Sequence, residues 1–169
     1  MPNWCMNRVV VSGKELDLKE FRVVVGNGET MDFEKIMPMP EELKSVGSPT
    51  TIVGSDEEVL AYMEARDSTE NRPITQEESN RYKSLYGADN WYDWSNNNWG
   101  TKWNISEEEQ SFYRSDRSLV FRFSTAWGPP EGVFRYLVDK FPFLEISWFY
   151  EEPGMEISGY LEHGSASYA

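Results

Sequence analysis

Leu119-Val120-Phe121-Arg122-Phe123-Ser124, then Pro129-Pro130-Glu131, then Leu144-Glu145-Ile146-Ser147-Trp148-Phe149-Tyr150 decide how this chain folds. In the first run Leu119, Phe121 and Phe123 alternate with Val120, Arg122 and Ser124, the period of a strand with one face on a core. Pro129-Pro130 opens a helix, because proline suits the first helical turn. Phe134, Leu137, Val138 and Phe141 share one face of it. Glu131 and Lys140 complement its dipole, and Pro142 stops it. Leu144, Ile146, Trp148 and Tyr150 alternate along a further strand. Glu152-Pro153-Gly154-Met155 has the composition of a type II turn, and Met155, Ile157, Gly159 and Leu161 predict a returning strand.

Toward the N-terminus, Cys5, Asn7, Val9 and Val11 predict a strand over residues 4–11. Ser12-Gly13-Lys14-Glu15 has capping-box spacing ahead of a helix carrying Leu18, Phe21 and Val25, with a glycine stop at Gly26-Asn27-Gly28. Residues 33–37 read as a short second strand ended by Pro38 and Pro40. The order strand, helix, strand, insertion, strand, helix, strand, strand predicts an α+β fold. It is a ferredoxin-like split βαβ antiparallel sheet with two helices on one face, an extra C-terminal hairpin strand and a long, partly helical insertion. The expected organisation is a single domain over residues 1–169, with a core of 1–37 and 119–169 and an insertion of 38–118. An insertion of that length requires structure of its own. Helices are expected over residues 56–65 and 75–86, the second opened by the capping box Thr75-Gln76-Glu77-Glu78. Phe121, Phe134 and Trp127 are expected to fix the core.

At 169 residues, 15% of them aromatic, the chain can bury a core without disulfides, and Cys5 is its only cysteine. No signal-peptide pattern and no apolar window of about 18 residues is visible, so the expectation is a cytoplasmic protein with no membrane segment. The net charge is −13, and residues 38–118 hold 16 acidic against 8 basic side chains. Such a surface repels phosphate backbones and attracts basic proteins. Cys5, at a strand start, reads as a small buried hydrophobe, and His163 is the only histidine. With no cysteine cluster, no paired histidines, no Walker loop and no dinucleotide fingerprint, no catalytic residue, metal or cofactor is expected.

Trp91-Tyr92-Asp93-Trp94-Ser95-Asn96-Asn97-Asn98-Trp99-Gly100-Thr101-Lys102-Trp103 concentrates aromatic area and two-way hydrogen bonding. Trp99 and Trp103 either pack at i and i+4 against the sheet, or join Lys102, Trp127, Tyr150 and Glu152 in a pocket. Trp127 precedes helix N–H groups that could hold an anion, so such a pocket would suit a small anionic ligand or a nucleotide. Residues 117–123 show the aromatic alternation of an RNA-recognition strand without its glycines and flanking bases, so direct nucleic-acid binding is disfavoured.

Five ordered motifs span nearly the whole chain: Met1-Pro2-Asn3-Trp4-Cys5-x-Asn7, Ile36-Met37-Pro38-Met39-Pro40-Glu41-Glu42-Leu43, Trp99-Gly100-Thr101-Lys102-Trp103-Asn104, Thr125-Ala126-Trp127-Gly128-Pro129-Pro130 and Tyr150-Glu151-Glu152-Pro153-Gly154-Met155. With them the sequence resembles a phage- and plasmid-encoded family of unknown function that has a ferredoxin-like domain, the Api-like proteins of mobile elements. The resemblance implies the fold and a mobile-element origin, and no catalytic residue. Together with the charge it leads to an expected role. The chain is a non-enzymatic acidic protein, in the cytoplasm of a bacterial host, that binds and inhibits a host nucleic-acid-handling defence protein. The partner is a host protein with a basic surface, such as a nuclease or effector complex. Glu77, Glu78, Glu107, Glu108 and Glu109 are the candidate partner-binding residues, standing in for phosphates. The alternative is a nucleotide- or nucleic-acid-binding module built on the Trp99, Lys102, Trp103, Trp127, Tyr150 and Glu152 pocket.

Overall fold

The structure is a computed structural model that describes residues 2–162. It divides into two compact units, one taken from the chain up to Pro38 and from Asn98 onward, the other Met39–Asn97.

The first unit is built on a five-stranded antiparallel sheet in the order β4-β5-β1-β6-β7. The strands are β1 (Trp4–Ser12), β4 (Ser111–Arg114), β5 (Ser118–Ala126), β6 (Glu145–Glu152) and β7 (Ile157–Tyr160). Cys5, Asn7, Val9 and Val11 of β1 are buried, as are Leu119, Phe121 and Phe123 of β5 and Trp148 of β6. Register places Phe121 and Trp148 on either side of Val9, so three strands share one apolar face. Helices α1 (Glu15–Val25) and α7 (Glu131–Lys140) cover that face. Phe21 of α1 packs at 6.3 Å from the Phe121 ring and edge-on to Phe141 at 5.1 Å. Phe134 of α7 meets Trp148 edge-on at 6.0 Å. Edge-to-face pairs of this kind add to the stabilisation from burial alone.

At the centre of the sheet sits a buried polar residue, Asn7, which is 3% exposed. Its Oδ1 accepts from Trp148 Nε1 at 3.0 Å, and its Nδ2 donates to Thr125 Oγ1 at 2.8 Å and to the Cys5 carbonyl at 3.0 Å. Thr125 Oγ1 in turn donates to the Gly128 carbonyl at 2.7 Å. Beside this network, burial pushes the Cys5 thiol up to about 11, against smaller opposing effects, so Cys5 remains a protonated packing residue.

The ferredoxin-like topology is present, with a different second strand. Residues 33–37 contain a short helix, α2 (Phe33–Ile36), capped by Asp32, whose Oδ1 accepts from Glu34 N. Phe33 and Ile36 lie three apart and are both buried, a helical spacing that outweighs their strand propensity. The second strand of the split motif is β4, paired with β5 through Phe112 and Phe121. Residues 98–118, expected in the insertion, therefore pack with the sheet. Two local expectations also change. Lys14, with no side-chain cap, precedes α1, so the Ser12 capping box does not form. The β6–β7 turn closes from Glu156 N to the Pro153 carbonyl at 3.3 Å, with Glu156 rather than Gly154 at positive φ. At Gly154 a Cβ would lie 2.5 Å from Asn3 Nδ2, so a larger residue there requires the Asn3 side chain to move.

The second unit carries α3 (Glu41–Lys44), α4 (Asp56–Arg66), α5 (Gln76–Tyr86) and most of α6 (Trp91–Asn98) beside a two-stranded parallel ribbon, β2 (Ile52–Val53) and β3 (Ile74–Thr75). The Thr75–Glu78 capping box forms, and Gly87 ends α5 at φ 75°. No described helix is long and apolar enough to cross a membrane.

Removing the Asn7 side chain takes away the acceptor of the buried Trp148 indole N–H, while the Thr125 hydroxyl keeps its bond to the Gly128 carbonyl. Asn7→Ala is expected to cost about 2–4 kcal/mol in denaturant melts. Val10→Ala, on the other face of the same strand, is expected to cost under about 1 kcal/mol.

Candidate functional site

The tryptophan motif divides between inside and outside. Trp99 is 3% exposed, and its Nε1 donates to the Met37 carbonyl at 2.9 Å. Its own carbonyl accepts from Gly132 N at 3.2 Å and Val133 N at 3.4 Å, in the first turn of α7. The helix N–H groups expected to await an anion are therefore occupied by the protein's own backbone. The approach is close: a Cβ on Gly132 would lie 1.8 Å from the Asn98 carbonyl oxygen, and Gly100 sits at φ 85° against Glu131. Downstream, Thr101 Oγ1 donates to the Ala126 carbonyl at 3.0 Å. Asn104 Oδ1 accepts from Phe33 N, and Gln110 bonds both backbone groups of Met31. Residues 98–110 thus form a strap that stitches α2 and α7 to the sheet.

What the strap leaves outside is aromatic. Trp4 is 47% exposed, Trp103 39% and Trp127 50%. Trp4 and Trp103 tilt together with ring centroids 6.3 Å apart, and Lys102 Nζ lies 4.3 Å from the Trp103 centroid. Trp127, at φ 72°, donates its N–H to the Asn3 carbonyl at 2.9 Å and follows Ala126, the register partner of Trp4. Three tryptophans thereby gather at one end of the sheet. Trp127 is a surface residue, contrary to its expected place in the core. Phe121 and Phe134 are buried as expected.

The remaining pocket residues do other work. Glu152 is 1% exposed and caps its own turn, accepting from Gly154 N at 3.0 Å and Met155 N at 2.6 Å. Tyr150 lines a small hollow with Glu131, Phe134 and Arg135, shared with none of the other five expected residues. Of the six, Lys102, Trp103 and Trp127 remain as surface candidates.

The acidic candidates also separate. Glu77 is exposed on α5. Glu78 closes the capping box, accepts from Tyr82 Oη at 3.2 Å and faces Arg72 at 3.5 Å, so it serves the fold. Glu107, Glu108 and Glu109 form an exposed 3-10 turn before β4. Glu108 and Glu109 line a groove on the open face of the sheet with Arg8 and Arg122. The arginines escape a motif search because each is a single outward residue on an ordinary alternating strand. The aromatic alternation of Phe121 and Phe123 points into the core, so it offers no RNA platform.

Asp89, in the second unit, is likewise invisible in sequence. It is 4% exposed, and its carboxylate receives Ser79 Oγ at 2.6 Å, Thr50 Oγ1 at 2.8 Å, Asn90 Nδ2 at 3.1 Å and Lys83 Nζ at 2.8 Å. Desolvation opposes the charge, but these four donors outweigh it and hold the carboxyl down at about 2. Among the described residues no group of three or more His, Cys, Asp or Glu is arranged to hold a metal. His163 lies outside the described residues.

Residues 98–166 match the model of a family described as the ferredoxin-like domain in Api92-like protein. The match begins where the second segment of the sheet unit begins; β1 and α1 lie outside it. Among solved structures, the crystal structure of a protein api92 from Yersinia pseudotuberculosis is similar, with a TM-score of 0.55 at 14% identity over 95% of this chain and 93% of that one. At that identity the likeness speaks for the fold. No curated protein sequence is significantly similar.

Two outcomes test this geometry. Gly132→Ala should gain about 1 kcal/mol in helix propensity yet lose more through the clash with residue 98, for a net loss above about 2 kcal/mol in denaturant melts. For Asp89, a carboxyl held below its unfolded value near 3.9 stabilises the fold above about pH 4 and loses that effect as pH falls toward 2. Asp89→Asn should therefore destabilise by about 2 kcal/mol at neutral pH, and its melting curves should converge on those of the wild type in acid.

Proposed function

We propose that this chain is a non-enzymatic binding protein that docks on a basic protein surface through its exposed tryptophans, with its acidic side chains guiding the approach. The observation that carries this reading is the group Trp4, Trp103 and Trp127, each between 39% and 50% exposed at one end of the sheet. A chain that buries Trp94 in one unit and Trp99 and Trp148 in the other leaves these three exposed. Exposed aromatic patches mark interaction sites, and tryptophan is enriched where binding energy concentrates. Lys102 against Trp103 keeps one edge of the patch polar.

Charge supplies direction. Residues 39–97 hold 12 acidic against 5 basic side chains, a net of −7 in about a third of the chain. Exposed carboxylates act mainly on encounter rate and on rejection of polyanions, while desolvated aromatics govern dissociation. In its finer form the proposal makes the chain a mobile-element protein whose partner is a host nucleic-acid-handling defence protein with a basic groove. The likeness to an Api92-like domain and the net charge of −13 support that form.

The test is capture of basic nucleic-acid-handling proteins from bacterial lysate, followed by affinity and association-rate measurements on the purified pair. Trp103→Ala and Trp127→Ala should each weaken binding at least about tenfold with unchanged melts. Reversing Glu77 together with Glu107 to lysine should slow association at low salt and leave dissociation nearly unaltered. Binding that survives both tryptophan substitutions and fails on charge reversal would replace this reading with pure phosphate imitation.

A further inference from the structure

The strand register lays out a row of side chains straight across the open face of the sheet, opposite the helices. Ser111 on β4 pairs with Arg122 on β5, Arg122 with Arg8 on β1, Arg8 with Phe149 on β6, and Phe149 with Tyr160 on β7. Two arginines stand beside two aromatic rings, and those rings meet edge-on at 5.3 Å. Neither Arg8 nor Arg122 has a side-chain hydrogen bond or an ion pair among the described residues. Like charges directly opposite on neighbouring strands destabilise a sheet. The chain has nearly twice as many acids as bases, so partners for these guanidinium groups are not scarce in the sequence. Both arginines and Phe149 line one groove of about 540 Å³, within the range of small-ligand sites.

We propose that this groove binds a mononucleotide, with its phosphate held by Arg8 and Arg122 and its base on Phe149, whose ring Tyr160 braces edge-on from the neighbouring strand. Guanidinium forks suit phosphate oxygens, and the three terminal oxygens and double charge of a phosphate offer both arginines an acceptor and neutralise both. Neighbouring strands lie about 4.8 Å apart, so the phosphate and the base would sit on adjacent strands of the row, as within one nucleotide. Aromatic faces stack on bases, and Met6 adds apolar surface to the same groove. The rim argues for a single nucleotide over a strand of nucleic acid. Glu108 and Glu109 stand on one side and Glu151 on the other, where further phosphates would have to pass. The groove lies further along the face of β1 that carries Trp4 and uses none of the three tryptophans, so substitutions at Arg8, Arg122 and Phe149 test it apart from the tryptophan patch.

The experiment titrates the full chain, by calorimetry and by backbone amide NMR, with AMP, adenosine, inorganic phosphate, a short single-stranded oligonucleotide and an acidic peptide. The expected result is saturable AMP binding with a Kd of about 1 mM or tighter. Shifts should centre on residues 6–8, 122–124 and 149–151, with weaker binding of adenosine and of phosphate alone. Arg8→Gln and Arg122→Gln should each reduce AMP affinity about tenfold or more. Neither should lower the melting temperature, since each relieves a repulsion. Phe149→Leu should weaken AMP more than inorganic phosphate. Absence of saturation, affinity unchanged in both arginine variants, phosphate binding as tightly as AMP, or tighter binding of the oligonucleotide or the acidic peptide would each overturn the assignment.

Discussion

The carboxamide of Asn7 is the interaction on which the sheet depends. It lies on the central strand, where its oxygen takes the indole N–H of Trp148 from one neighbour and its nitrogen reaches Thr125 on the other. A buried amide with both ends satisfied is compatible with only one register of the three strands, because slipping either neighbour would leave polar groups in an apolar layer. Thr125 passes the constraint to the Gly128 carbonyl, just before Pro129-Pro130 and α7. The position of α7 then fixes where the Trp99 carbonyl can land. The strap from Asn98 to Gln110 follows, and with it the choice of which tryptophans are inside.

The same constraint separates two kinds of surface. On the helix-covered face aromatic residues are used for packing, edge against face, around Phe121 and Trp148. At the sheet end and on the open face they are left accessible, beside Lys102 in one place and beside Arg8 and Arg122 in the other. The acid excess is densest in residues 39–97, away in sequence from both aromatic surfaces. Exposed carboxylates contribute little to stability, so that excess is free to serve recognition and solubility. The tryptophans and arginines are the costly groups to leave as they are, and functional weight is placed on them for that reason.

Much of the fold is legible because the period of burial is written in the residues. β5, α7 and β6 follow directly from the alternation of Leu119, Phe121 and Phe123, the Pro129-Pro130 start and the alternation around Trp148. The Thr75–Glu78 box identifies α5 in the same way. The second strand is hidden because β4 is a four-residue edge strand of mixed polarity, Ser-Phe-Tyr-Arg, while Phe33 and Ile36 imitate a strand when read without Asp32 as a cap. The site is harder to read than the fold. Trp99 and Trp103 share one motif and have opposite fates, decided by a backbone contact with Gly132 more than thirty positions away. Glu78 reads both as the end of the Thr75 capping box and as a partner-binding charge, and only the first role is filled in the fold; Glu152 reads as a pocket residue until its backbone partners are known. The arginine row depends on cross-strand register, which alternation within each strand does not fix.

The central claim is that this chain presents Trp4, Trp103 and Trp127 to a partner while Trp99 and Trp148 hold the fold. Hydroxyl-radical footprinting with residue-level mass spectrometry measures that directly, on the free protein and on its complex with a captured partner. The account predicts fast oxidation of Trp4, Trp103 and Trp127 in the free chain, strong protection of all three in the complex, and slow oxidation of Trp99 and Trp148 in both states. Trp127 oxidising as slowly as Trp99 in the free chain, or protection confined to the acidic helices while the three tryptophans stay reactive, would contradict it.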